Sequence, residues 1–255
     1  MTMDYSSDVF DIIIQGGQSN SDGTGFGDAS VPYVPKETVL YMTGDKRIAV
    51  AAERQWDGYI AGDFSLSFAD LYINTGMLQP GKKLLILRGA VGGTGFLDHR
   101  WRKEDDLYEQ LMSMVKSAQS LNPRNKPVVF LWHQGETDAT LNASYDTHTQ
   151  NLSSLLNDVR SISENPALPF IAGDFVRQWK NDNAAICEPV VAAIREVCAD
   201  DKYSGFVETD GLQSNDQRFG NGDTIHFCRE ALYELGKRYY AKYSEIVNRS
   251  TTDRL

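Results

Sequence analysis

Ser19 stands in the stretch "DIIIQGGQSNSDG" (11–23), where an apolar run stops on two glycines and a set of small polar residues. A serine in such a turn is ordinarily a cap. It becomes a nucleophile only when a base lies within hydrogen-bond reach and a third group orients that base. His226 is one of four histidines in the chain, and Asp223 precedes it by three residues. In a tight loop that spacing lets the carboxylate reach the near imidazole nitrogen and leaves the far nitrogen to take a proton from serine. The same D-x-x-H also describes a plain turn. Acyl transfer further needs donors for a developing oxyanion. The turn "GGTG" (92–95) offers backbone N–H groups at Gly92 or Gly93. Gln134, in "WHQGETD" (132–138), offers a side-chain amide, with Glu136 two residues on.

These segments need a scaffold that brings them together. Apolar runs at Val9–Ile14, Val39–Met42, Leu84–Leu87, Val128–Trp132, Phe170–Ala172 and Phe206–Val207 read as strands. Several are continuous rather than alternating, as in parallel strands covered on both faces. Between them, Leu107, Leu111, Met114, Ala118 and Leu121 recur at helical spacing, as do Leu152, Leu155, Leu156, Val159 and Ile162. Leu232, Leu235, Tyr239, Tyr243 and Ile246 form a third stripe. Strand alternating with helix predicts a doubly wound α/β sheet with right-handed crossovers. No repeat or linker divides residues 1–255, so a single domain is expected. In such sheets ligands sit beyond the carboxyl ends of the strands, which is where the three glycine-rich segments fall. The loop before the last helix can carry Asp223 and His226 to the same rim.

Composition removes several alternatives. The 255 residues carry a formal net charge of −10, which argues against a nucleic-acid or anionic-membrane surface. Arg88, Arg100, Arg102 and Arg177 could form a local basic exception. No apolar run approaches a membrane span, and the acidic start "MTMDYSSDVF" does not read as a secretion signal. Three widely spaced cysteines make neither a disulfide framework nor a zinc knuckle, and a cytoplasmic location is expected. "GGTGFL" lacks the Lys-Ser/Thr of a phosphate-binding loop. "GGQSNSDGTG" does not fit the dinucleotide fingerprint, and His133 with Glu136 is not a zinc-protease pair. No metal or organic cofactor is implied. The sequence carries no signal for an oligomeric state.

Four blocks occur in order: "GQSN" (17–20), "GGTG" (92–95), "WHQGETD" (132–138) and "DTIH" (223–226). Together they resemble the SGNH-hydrolase superfamily. More narrowly they resemble its sialate O-acetylesterase branch, which includes the acetylxylan esterases of carbohydrate esterase family 6. The resemblance implies a three-layer α/β/α sandwich with a flavodoxin-like parallel sheet. It implies Ser19 as nucleophile, His226 as base and Asp223 as its orienter. The Ser19 N–H, the Gly92 N–H (Gly93 as alternative) and the Gln134 amide would form the oxyanion hole, with Glu136 holding the third block together. Gln18 and Gln134 depart from the aspartate and asparagine of many superfamily members but fit the narrower branch.

The expected function is removal of O-acetyl groups from a carbohydrate, of acetylxylan or sialic acid type, through an acyl-enzyme. Gln18, Asn20, Trp101 and His133 are candidate substrate contacts, and Trp101 and Trp179 candidate sugar platforms. Two alternatives remain open at this stage: a non-catalytic carbohydrate-binding domain on the same fold, and an esterase or thioesterase for a non-carbohydrate acyl group.

Overall fold

The computed structural model describes residues 4–56 and 58–252. In chain order the strands are β1 (Phe10–Gly17), β2 (Val39–Met42), β3 (Ile48–Val50), β4 (Arg54–Trp56), β5 (Tyr59–Ala61), β6 (Lys83–Arg88), β7 (Lys126–His133), β8 (Phe170–Gly173) and β9 (Ser204–Val207). The helices are α1 (Ser19–Asp22), α2 (Phe64–Asn74), α3 (Asp106–Leu121), α4 (Glu136–Thr140), α5 (Tyr145–Ile162), α6 (Arg177–Asp182), α7 (Ala184–Ala199), α8 (Asn215–Phe219) and α9 (Arg229–Thr252).

Seven strands form one sheet in the order β3-β2-β6-β1-β7-β8-β9. All neighbours are parallel except β2 and the edge strand β3. Every residue of β1 is buried, which explains its continuous apolar sequence: both faces are covered. β6, β1, β7, β8 and β9 run in the flavodoxin-like order 2-1-3-4-5, with β2 added at the β6 edge. α2 and α9 pack on each other. α3, α5 and α7 form a second contiguous set, α5 touching both α3 and α7.

The chain leaves β1 for the β6 side and later returns to β7 on the other side. That reversal opens a crevice at the carboxyl end of β1. The segments following β1, β6 and β7 converge there. β1 runs three residues beyond the predicted Ile14, because Gly16 and Gly17 stay in register with Trp132 and His133. Directly afterwards the Gln18 N–H donates to the His133 carbonyl at 3.0 Å, and α1 begins at Ser19. β4 and β5 pair in a separate two-stranded hairpin. None of the described helices is long and apolar enough to cross a membrane.

Candidate active site

Ser19 is the first residue of α1, so its N–H has no intrahelical acceptor. Its hydroxyl lies 2.9 Å from His226 Nε2. The other imidazole nitrogen, Nδ1, lies 2.9 Å and 3.0 Å from the two oxygens of Asp223. The hydroxyl, imidazole and carboxylate are thus in line, although Ser19 and His226 are 207 residues apart. Partial burial pushes the Asp223 carboxyl up. Hydrogen bonds from His226 and Asn215 outweigh that and hold it below the usual carboxylate range.

Two asparagines fix the loop that carries the imidazole. Asn20 Nδ2 donates to the Ile225 carbonyl at 3.0 Å, and its Oδ1 accepts from the Phe227 N–H at 3.1 Å. One amide thereby grips the backbone on both sides of His226. Glu136 Oε1 accepts from the same Asn20 Nδ2 at 2.8 Å and fixes which way the amide points. Burial pushes the Glu136 carboxyl up, only partly offset by its own N–H and by Asn20. Asn215 Nδ2 donates to Asp223 Oδ2 at 2.8 Å and to the Thr24 carbonyl at 3.1 Å. Its Oδ1 accepts from the Phe26 N–H. Asn215 was missed in the sequence, where it sits in a polar loop without periodicity.

A cleft of about 620 Å³ opens on this row. Gln18, Ser19, Gly92, Gly93, Glu136 and His226 line it, with Thr24, Arg54, Thr137 and Ile225. Gly92 faces Ser19 closely: a Cβ on it would stand 3.5 Å from that of Ser19. Among the described residues, no hydrogen bond uses the N–H of Ser19 or of Gly92. The N–H of Gly93, which also lines the cleft, is likewise without a partner among the described residues, so the backbone donors beside the hydroxyl are those of Ser19 and of Gly92 or Gly93.

The remaining candidates are distributed differently. Gln18 reaches the cleft, but its side-chain oxygen Oε1 is occupied by the N–H groups of Thr137 and Gly135, at 3.1 Å and 3.3 Å. It stitches the first block to the third. Asn20, Trp101 and His133 are fully buried and cannot touch a substrate. Trp101 donates to Thr94 Oγ1 at 2.9 Å and lies edge-on to Trp132, so it props the second-block turn from beneath. His133 Nδ1 lies 2.9 Å from the Tyr239 hydroxyl, and burial pushes its imidazole down to about 3. Trp179 packs against Phe175 and is 8 % exposed, which leaves little ring for a sugar. The four arginines make no basic patch. Arg88 pairs with Asp22, Arg100 with Asp106, Arg102 with Asp105 and Arg177 with Asp210. The arginine at the cleft is Arg54, on the hairpin, donating to Asp22 and to the Gly23 carbonyl.

Residues 9–245 match the family model of carbohydrate esterases described as sialic acid-specific acetylesterases. The chain belongs to this family. Its members are esterases of acetylated sugars, the class that the four blocks resemble. Over 91 residues the chain is 28 % identical to the probable 9-O-acetyl-N-acetylneuraminic acid deacetylase of Escherichia coli K12. That match spans 32 % of this chain and 28 % of the relative. The NanS crystal structure superposes with a TM-score of 0.76 at 16 % identity, covering 95 % of this chain and 98 % of that one. A protein from Arabidopsis thaliana gives 0.73 at 19 %, covering 92 % and 98 %. A carbohydrate acetylesterase from Xanthomonas citri gives 0.63 at 15 %, covering 92 % of this chain and 56 % of that one. At these identities the superpositions establish the fold that the family shares.

Proposed function

We propose that the protein is a serine esterase that removes O-acetyl groups from a carbohydrate, with O-acetylated sialic acid as the favoured substrate class. Ser19 Oγ attacks the acetyl carbonyl carbon while His226 Nε2 takes its proton. Asp223 holds the imidazole in the required tautomer and stabilises the cation that forms. The Ser19 and Gly92 N–H groups receive the charge that develops on the carbonyl oxygen. Collapse of the intermediate returns the proton from His226 to the departing sugar oxygen and leaves acetyl-Ser19. Water, deprotonated by the same imidazole, then releases acetate.

The single observation that carries this reading is the 2.9 Å contact between Ser19 Oγ and His226 Nε2 with Asp223 on the opposite nitrogen. The choice of sialic acid over xylan rests on the family's description and on the substrate in the E. coli relative's name. The reading takes residues 1–255 as one esterase domain, since a single sheet recruits strands from Phe10 to Val207. It places the enzyme in the cytoplasm, consistent with three buried cysteines, none of them bonded to another. Acetate release from O-acetylated sialic acid and from acetylated xylo-oligosaccharides tests it, with Ser19→Ala alongside. The expected outcome is preferential release from sialic acid and a loss of at least about 10³-fold in kcat in the variant. Full activity of Ser19→Ala would rule out the mechanism, and faster turnover of the xylo-oligosaccharides would reassign the substrate.

A further inference from the structure

Asp138 ends the third block and is completely buried, but the triad does not use it. Its carboxylate accepts three N–H groups. Oδ1 takes the Leu97 N–H at 2.8 Å, and Oδ2 takes the Phe96 N–H at 3.1 Å and Gln134 Nε2 at 2.7 Å. Two of these donors immediately follow the "GGTG" turn that carries Gly92. The third belongs to the amide expected to complete the oxyanion hole. One side chain therefore ties both non-serine parts of that hole to the first turns of α4.

The Gln134 amide shows what this bond does. Its nitrogen has two hydrogens. Asp138 takes one at short range, and the other faces only the Thr94 carbonyl at 3.3 Å and Gln18 Oε1 at 3.4 Å. Those longer contacts lie at the seam between the residue preceding Ser19 and the turn bearing Gly92. Asp138 thus fixes the plane of this buried amide and leaves its second N–H only the two longer contacts. The second-block turn is built for the same contact. A Cβ on Gly95 would stand 2.9 Å from the carboxylate carbon and from both its oxygens, so only glycine lets the turn close on it.

We propose that Asp138 is a positioning residue for the oxyanion hole, orienting the Gln134 amide and anchoring the Gly92 turn. This rests on the esterase reading above. Because it acts on groups that meet the transition state, its loss lowers turnover and leaves ground-state binding alone.

Asp138→Asn is the direct test. The shape is kept, but one acceptor oxygen becomes an NH2 group. In either orientation that NH2 faces at least one of the three donors. With 4-nitrophenyl acetate the expected result is a kcat about 100-fold lower, the scale of losing one oxyanion donor, with KM held within about twofold. In a Gln134→Ala background the same substitution should cost markedly less, since part of its effect runs through that amide. Gly95→Ala tests the contact from the other side and leaves the carboxylate in place, which keeps the question answerable should Asp138→Asn not fold. It should give the same loss confined to kcat. The proposal fails if the folded Asp138→Asn protein keeps its kcat, if its loss multiplies fully with that of Gln134→Ala, or if Gly95→Ala is as active as the parent. A parent without esterase activity would overturn the esterase reading and this proposal together, whereas an active parent with unaffected variants would overturn this proposal alone.

Discussion

At the scale of the residue, the proposed mechanism has Asp223 contribute through the tautomer it enforces. Its two oxygens face His226 Nδ1, and one also accepts from Asn215. In Asp223→Asn the amide keeps the shape but can offer an N–H to Nδ1, which favours the proton on Nε2 and removes the base from serine. Turnover of an acetyl ester should fall by roughly 10⁴-fold, and a folded variant within tenfold of the parent would contradict the assigned role. Asn20→Ala probes the next layer. It removes the clamp on both sides of His226 and orphans Glu136, so kcat should fall and thermal unfolding should show a loss of about 3 kcal/mol. Unchanged kinetics would mean that the loop holds its shape without the amide. Ser19, Asp223 and His226, which the structure brings within hydrogen-bond reach, could be singled out in the sequence because acyl transfer requires those residue types and the four blocks stand in the order of the family they resemble. The buried asparagine, tryptophan and histidine were misread as substrate contacts because residue type alone does not tell which face of a turn a side chain takes. Asn20, Trp101 and His133 all turn inward, where they hold the loops that the substrate would meet.

At the scale of the element, the helices that back the sheet set how firmly the crevice is held. α9 begins three residues after His226 and packs along α2. At Gly236 the two helices meet so closely that a Cβ would stand 2.0 Å from Ser67 Oγ and 2.1 Å from the Phe64 carbonyl oxygen. Gly236→Ala must push α9 off α2. We expect a loss of about 3 kcal/mol, read as a lower midpoint in thermal or urea unfolding; an unshifted midpoint would show that the helices slide apart at no cost. The contact was invisible in the sequence, as was α2 itself: "FSLSFADLYIN" is apolar on too many sides to show helical periodicity. α7 was hidden for another reason, since it holds Pro189 within its span, where a proline ordinarily signals a break. The six strands were legible from their apolar runs. Their ends were less so, and β1 continues through two glycines because β7 pairs with them.

At the scale of the whole molecule, the fold keeps two histidines in the interior without charge. Burial pushes the His133 imidazole down to about 3 and the His148 imidazole down to about 4, the latter against the pull of Asp138. Both lie below the ordinary histidine value of 6.5. The unfolded chain therefore takes up protons that the folded chain refuses as pH falls below 6.5. The stability these groups contribute is full above that pH and is lost progressively toward pH 4 and pH 3. Each histidine gives a slope of at most about 1.4 kcal/mol per pH unit. The net charge of −10 acts the other way over part of this range, since adding protons relieves repulsion among carboxylates. Carboxylates that hydrogen bonds hold below their ordinary range, among them Asp201, Glu208 and Asp223, also lose stability as the pH falls toward 4, so only a histidine variant separates the two contributions. His148 is the one to replace first because neither of its ring nitrogens has a hydrogen-bond partner among the described residues, although Nδ1 lies 3.7 Å from Asp138 Oδ2. It also lies edge-on to Phe96, so the site already suits an aromatic ring. His148→Phe should leave stability at pH 7 within about 1 kcal/mol of the parent. Urea unfolding between pH 6.5 and 4 should show a slope shallower by up to about 1.4 kcal/mol per unit. An unchanged slope would place the acid sensitivity elsewhere, with His133 the next group to replace.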